Sequence, residues 1–317
     1  MKSIAIITNF NIHEKANAAL RVADELLKYP VRILISSVNK DKIFRMHKSR
    51  REFEYVSPEQ IYTQADCVVV LGGDGSILEA ARRCAPHEKH LLGINLGRLG
   101  YMAELDMKDL SMLSRIVEDD YLIDERAMLN IEIYNQNGGR KGETFALNDA
   151  VVSNGSVARI VDLELYEGNS LVSAFRADGL IVATPTGSTA YSMAAGGSIV
   201  DPHMACFCVS PICPHSLTAR PMIFRDSAVL EVKNICQREK MIYLTVDGHS
   251  NFELYRGDTV RITRSPMQTR LIRFGEESFY ARLQEKMKTC TSEVYNERQS
   301  SKENVGDHQS VSRGNTG

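Results

Sequence analysis

Apolar positions follow two rhythms along this chain. Up to about residue 122 they form short unbroken runs, Ser3–Thr8, Val31–Ser36, Cys67–Leu71 and His90–Asn95. Between the first two runs, Ile12, Ala16, Ala19, Leu20, Ala23 and Leu27 recur at helical spacing until Pro30 stops the helix. Unbroken apolar strands separated by amphipathic helices belong to a sheet covered on both faces, so residues 1–122 read as an α/β domain. Past Asp124 the period falls to two: Leu129/Ile131/Ile133, Val161/Leu163/Leu165, Leu230/Val232, Ile242/Leu244/Val246, Phe252/Leu254 and Val260/Ile262 alternate with polar residues. Asn137-Gly138-Gly139 and Glu167-Gly168-Asn169 supply turns between such strands. This predicts an antiparallel all-β C-terminal domain over 123–275, followed by a return segment at 276–289. From residue 290 the chain is polar and poor in large apolar side chains, and a disordered tail, 290–317, is expected.

Composition narrows the class. The 317 residues carry 38 Lys and Arg against 40 Asp and Glu, a net charge of −2, so no global positive field points to nucleic acid or an anionic membrane. No apolar run approaches the roughly 18 residues of a membrane-spanning helix, and the run after Met1-Lys2-Ser3 is too short for a signal-peptide core. Seven cysteines without framework spacing suit a reducing interior. A cytoplasmic globular protein is the expectation.

The strongest local signal is Val68-Val69-Val70-Leu71-Gly72-Gly73-Asp74-Gly75-Ser76. A strand that breaks into glycines before a helix brings backbone N–H groups onto phosphate. The dinucleotide fingerprint is missing its third glycine, because Leu78 stands there, and no Gly-Lys-Ser/Thr makes a P-loop. A carboxylate inside a phosphate loop repels its ligand, so Asp74 needs a compensating role. It can accept a proton from an attacking hydroxyl, hold a magnesium ion, or simply cap the next helix.

A second stretch, Arg176-Ala177-Asp178-Gly179 through Thr184-Pro185-Thr186-Gly187-Ser188-Thr189-Ala190-Tyr191-Ser192, gathers hydroxyls around a strand-to-helix transition. It can offer donors to a ribose or pyrophosphate and an aromatic face at Tyr191, or it is a hydroxyl-rich turn capped by Thr186 or Ser188. Asn148-Asp149, inside an otherwise apolar strand, either reads the polar edge of a ligand or ends the strand. His203, Cys206, Cys208, Cys213 and His215 lie close in sequence, but Cys206-Phe207-Cys208-Val209 alternates like a strand and lacks knuckle spacing, so no metal site is assigned.

Taken together these residues resemble the NAD kinase family over nearly the whole chain to about residue 280. The resemblance is carried by Gly72–Ser76, Gly93-Ile94-Asn95-Leu96-Gly97-Arg98-Leu99-Gly100-Tyr101, Asn148-Asp149, Arg176–Ser192, Pro211–Leu217 and Val246-Asp247-Gly248-His249. Gly-Gly-Asp-Gly is shared with phosphofructokinases and lipid kinases; Thr-Pro-Thr-Gly-Ser-Thr-Ala-Tyr narrows the reading. The resemblance implies transfer of the ATP γ-phosphoryl group to the 2′-hydroxyl of the adenosine ribose of NAD, giving NADP and ADP, with Mg²⁺ entering as the ATP complex. It implies an N-terminal α/β domain, a C-terminal β domain and a site between them. Asp74 becomes the catalytic base or orienter, and Gly73 and Gly75 the phosphate approach. Asn148, Asp149, Arg159, Arg176, Asp178, Thr189, Ala190, Tyr191, Ser192, Met193, Ala194 and His249 become ligand contacts. Partners implied are NAD, ATP or polyphosphate, and further copies of the chain in a homodimer or homotetramer. Competing readings are a lipid kinase, which the polar Arg176–Ser192 segment disfavours, and a silent dinucleotide sensor, which would gain nothing from Asp74.

Overall fold

The computed structural model describes residues 1–46, 52–97, 100–155, 160–216, 218–237, 241–275 and 279–288. Arg159, Arg98, Leu99, Leu217 and the tail anticipated from residue 290 lie outside the described residues.

The first part of the chain runs β1 (Ser3–Ile7), α1 (His13–Leu26), β2 (Arg32–Ser36), α2 (Lys40–Met46), β3 (Phe53–Val56), α3 (Pro58–Gln64), β4 (Cys67–Gly72), α4 (Asp74–Cys84), β5 (His90–Asn95) and the two-residue β6 (Leu105–Asp106). Strands β1 to β5 are parallel in the order β3-β2-β1-β4-β5. They are buried because both faces are covered: β4 exposes none of its six residues, and α1 turns Ala16, Ala19, Leu20 and Ala23 inward. The charged stretch from Lys40 to Glu54, which carries no clear periodicity, holds α2 and the start of β3. Helix α3 begins with a capping box: Ser57 accepts from the Gln60 amide while Gln60 accepts from the Ser57 amide.

The order of these strands decides where a ligand can sit. The chain winds outward from β1 to β3 and then returns to the other side of β1 to place β4. The connections leaving β1 and β4 therefore part in opposite directions, and a crevice opens at their carboxyl ends. Gly72-Gly73-Asp74 leaves β4 there, and the Thr8 hydroxyl, just past β1, donates to the Leu71 carbonyl at 3.0 Å across the switch point.

The remaining strands are β7 (Leu122–Tyr134), β8 (Arg140–Ala146), β9 (Asp149–Ser153), β10 (Val161–Glu167), β11 (Ser170–Ala177), β12 (Gly179–Ala183), β13 (Cys206–Ile212), β14 (Met222–Arg225), β15 (Leu230–Asn234), β16 (Met241–Val246), β17 (Ser250–Tyr255) and β18 (Thr259–Arg273). Six of them form an antiparallel sheet in the order β14-β13-β12-β9-β16-β17. The others extend the first sheet, and alternate residues of both sheets meet in one core that includes Ile131, Leu163, Val182, Phe207, Leu244 and Ile262. The α/β domain and the mostly β domain anticipated from the two rhythms are both present.

Their junction is continuous. The start of β18 pairs with β15, its end pairs in parallel with β5 (Arg270 with His90, Leu271 with Leu91), and β7 follows it on the antiparallel side from Thr259 to Arg273. A register shift between Arg264 and Gln268 bends the strand from one domain into the other. Helical turns over 279–288 then return to the carboxyl end of the parallel strands.

Candidate active site

Asp74 opens α4, but its carboxylate does not cap that helix. Gly73 is the N-cap and makes no side-chain bond. The Asp74 oxygens reach sideways instead, Oδ2 accepting the Tyr101 amide at 3.0 Å and Oδ1 the Met102 amide at 3.1 Å. Lys286 approaches Oδ2 at 3.4 Å. Gly100 permits this approach, since a Cβ there would stand 2.8 Å from the Asp74 Cγ. By contrast a Cβ on Gly73 or Gly75 would meet nothing within 4 Å among the described residues, which leaves the space beside both glycines open to a ligand. The carboxylate is therefore fixed while the backbone around it stays accessible.

The second group of candidates is built around a turn. Asp247 follows β16 with φ +49° and Gly248 comes next with φ +69°, a left-handed pair that turns the chain into β17. The buried Asp247 carboxylate accepts the amides of Leu147 (2.9 Å), Asn148 (2.8 Å) and Asp149 (3.1 Å). Thr184, also fully buried, ties the other side: its hydroxyl donates to the Leu147 carbonyl at 2.5 Å, and its amide donates to the Asn148 carbonyl at 2.9 Å. The same hydroxyl accepts the Gly187 amide at 3.1 Å, so Thr184, rather than Thr186 or Ser188, satisfies the start of the following turn. Asn148 and Asp149 are thus positioned through their backbone from both neighbouring strands. Leu147 beside them belongs to the same buried cluster as Ile77, Leu78 and Met102, which joins this group to α4 and the Asp74 loop.

Two carboxylates share this turn. Burial pushes the Asp149 carboxyl up to about 7, with the charge of Asp247 adding to the effect. Burial also raises Asp247, but the three amides oppose it, so Asp149 is the member of the pair that holds a proton more readily. The exposed His249 ring bonds the Asp247 carbonyl through Nδ1 at 2.7 Å. A carbonyl only accepts, so Nδ1 is protonated and Nε2 points elsewhere.

Thr189–Ala194 follow β12 in a tight turn and a short helix, Tyr191–Ala194. Tyr191 and Met193 are exposed, whereas Ser192 is buried and bonded to the Ser210 hydroxyl at 3.0 Å. The Thr189 hydroxyl is turned back onto the Thr186 carbonyl at 3.3 Å. Arg176 and Asp178 stand apart from the rest. Gly179 pairs with Ser153 and Ala183 with Asp149, so Asp178 lies beyond the opposite end of β12 from Asn148 and Asp149. At a rise of about 3.3 Å per residue that separation exceeds roughly 13 Å. Arg176 is exposed there, 3.9 Å from Asp162.

A cleft of about 360 Å³ opens between the domains beside Tyr101. Asp124 anchors its wall, taking both Arg126 nitrogens at 2.6 Å, Arg273 at 3.1 Å and His203 at 3.3 Å. Burial is the largest influence on Asp124 and would raise it, but Arg126 and Arg273 together outweigh burial and hold it down to about 2. Arg126 also reaches the Thr186 hydroxyl at 3.3 Å, which links the cleft to the hydroxyl-rich turn. Asp124 was not among the residues singled out from sequence, and Asp247 and Thr184 stood there only as members of their segments, with no positioning role assigned. The Cys206 and Cys208 thiols are free and buried within β13, as the strand alternation requires.

Residues 4–121 match the model of the ATP-NAD kinase N-terminal domain, and residues 147–274 that of the ATP-NAD kinase C-terminal domain. The chain belongs to the NAD kinase family. An NAD kinase from Aromatoleum aromaticum is 38% identical over 285 residues, covering 90% of this chain and 93% of its own. One from Heliobacterium modesticaldum is 42% identical over 225 residues, covering 71% and 79%. Among solved structures, a yeast NADH kinase complexed with NADH superimposes with a TM-score of 0.83 at 26% identity, covering 90% of this chain and 87% of that one. The fold is shared as well with an Archaeoglobus fulgidus NAD kinase solved with ATP, at a TM-score of 0.68, 23% identity, and coverage of 91% and 99%. The chain is accordingly a phosphotransferase of this NAD kinase family.

Proposed function

We propose that the chain transfers the γ-phosphoryl group of ATP to the 2′-hydroxyl of the adenosine ribose of NAD, with Asp74 as the group that orients that hydroxyl and receives its proton. The observation that carries this reading is a carboxylate clamped by two backbone amides at the switch point, between glycines whose surroundings are open. The 2′-oxygen bonds to Pγ as the bond from Pγ to the β-phosphate oxygen breaks, ADP leaves, and the hydroxyl proton passes to Asp74. Such transfers depend on positioning and charge neutralisation, so a carboxylate that accepts its proton late is sufficient. Mg²⁺ would enter with ATP as its complex and would neutralise charge on the phosphates.

Asn148 and Asp149, held by Asp247 and Thr184, are assigned to the adenosine moiety, with Tyr191 and His249 flanking it. Arg176 and Asp178, at the far end of β12, suit a site completed by a second copy of the chain, in keeping with a homodimer or homotetramer. Among the described residues five cysteines, Cys67, Cys84, Cys206, Cys208 and Cys236, are buried, which fits a reducing cytoplasm.

NADP formation from NAD, ATP and Mg²⁺ tests the assignment, with Asp74→Asn as the control. The variant is expected to lose kcat by about 10²–10⁴-fold while NAD binding stays within a few-fold. Product from polyphosphate but not ATP changes the donor and keeps the reaction. Near-normal turnover by the variant removes Asp74 from its role.

A further inference from the structure

We infer that Lys286 is a positioning residue for the phosphoryl transfer, acting through Asp74. The inference rests on the reading of Asp74 given above and extends it to a residue more than two hundred positions away in the chain.

The Lys286 ammonium lies 3.4 Å from Asp74 Oδ2 and 3.7 Å above the centre of the Tyr101 ring. Both side chains of the pair are mostly covered, at 26% and 32% exposure, so solvent screens the contact only in part. Among the described residues Lys286 is the cation paired with Asp74. It is brought there deliberately by the fold. Arg282, one helical turn earlier and on the same face, donates to the Ala103 carbonyl and to Glu104 Oε2 at 2.7 Å. Glu104 also accepts the Phe274 amide at 2.8 Å and Arg273 at 3.1 Å. Four consecutive residues therefore do two jobs: the amides of Tyr101 and Met102 hold Asp74, while Ala103 and Glu104 hold the segment that carries Lys286.

A carboxylate that must stand beside an incoming polyphosphate faces like-charge repulsion, which an adjacent fixed ammonium offsets. The contact also sorts the two oxygens. Oδ2 receives both the Tyr101 amide and Lys286, whereas Oδ1 receives the Met102 amide and lies against Gly100, so the ammonium acts on one oxygen of the carboxylate. The charge on Lys286 matters here more than its shape, so arginine should substitute for it in part.

The test compares Lys286→Met, Lys286→Arg, Asp74→Asn and the double variant Asp74→Asn/Lys286→Met in the full chain. Lys286→Met is expected to lower kcat about tenfold to a hundredfold. KM for NAD and ATP should stay within about threefold, since the interaction lost is one with the catalytic group. Lys286→Arg should recover most of the loss, and all thermal midpoints should agree within about 2 °C, the contact being partly screened by solvent. In the double variant the methionine should add nothing to the Asp74→Asn defect. A Lys286→Met enzyme with normal kcat, a change confined to KM, or defects that multiply in the double variant would each overturn the positioning role while Asp74 keeps its own. Near-normal turnover by Asp74→Asn would overturn the reading of Asp74 and this inference with it.

Discussion

The Asp247 carboxylate holds Asn148 by its backbone: Oδ1 accepts the Asn148 amide at 2.8 Å, across 99 residues of sequence. The turn after β16 is in this way the mould in which Asn148 and Asp149 are cast, with two further amides, of Leu147 and Asp149, closing on the same side chain.

Replacing Asp247 by alanine should therefore act on stability and binding together. Three amide donors lose their acceptor in a buried setting, a loss expected to cost about 3–5 kcal/mol. Calorimetric unfolding measures the cost, and KM for NAD should rise in any variant that remains folded. An Asp247→Ala protein with wild-type midpoint and KM would show that the turn does not hold the pair.

The Asp149 carboxyl makes stability depend on pH in an uncommon direction. Its value in the fold, about 7, lies above the ordinary 3.8, so the folded state keeps a proton that the unfolded chain releases. Stability from this group is full below about pH 4 and declines as pH rises toward 7. Urea midpoints between pH 4 and 8 should fall for the wild type relative to Asp149→Asn, which has nothing to ionise. Parallel curves for the two proteins would contradict the raised value.

Asp124 has the opposite sign. Its carboxyl is held down to about 2, so its contribution is present above pH 4 and disappears as pH falls toward 2. Asp124→Asn should flatten acid unfolding in that window. It also leaves Arg126 and part of the Arg273 charge buried without their partner, a penalty of about 3–5 kcal/mol at neutral pH. Acid titration followed by circular dichroism separates the two effects, and an unchanged acid midpoint would refute the first.

Two glycine substitutions should divide folding from catalysis. A Cβ on Gly187 would stand 2.6 Å from the Asn148 carbonyl carbon, and backbone on both sides cannot yield, so Gly187→Ala should destabilise by about 1–3 kcal/mol. The atoms nearest to a Cβ on Gly100 are those of the Asp74 carboxylate, which would have to leave its place to make room. Gly100→Ala should keep its thermal midpoint and lose kcat. Equal activity in Gly100→Ala and wild type would mean that the placement of Asp74 is not critical.

Much of this molecule is readable before any coordinates. The unbroken runs at Cys67–Leu71 and His90–Asn95 announce buried parallel strands, and alternation at Val161, Leu163 and Leu165 marks one face of a sandwich. Asp74 is legible because a carboxylate among phosphate-loop glycines is chemically out of place. The residues that position the site are less visible. Asp247 and Thr184 act on backbone groups, which any residue type presents, so their partners leave no trace in composition. Strand β3 was hidden in a charged stretch because it is an outer strand of only four residues, with Glu54 exposed. Lys286 looks like an ordinary surface lysine until Arg282 and Glu104 fix where its helix lies.

Strand β18 has a consequence for how the chain can be made. Its far end pairs with His90 and Leu91 of β5, whereas β6, the partner that β5 finds on that side within the first 122 residues, reaches only Ile94 and Asn95. During synthesis the N-terminal sheet must wait, with the start of β5 unpaired on one side, until residues near 270 emerge, and an unpaired edge is a template for pairing with other chains. A fragment ending at residue 122 would thus be a sticky half-sheet rather than a free-standing domain, and the final assembly of the nascent protein is tied to the arrival of a single strand.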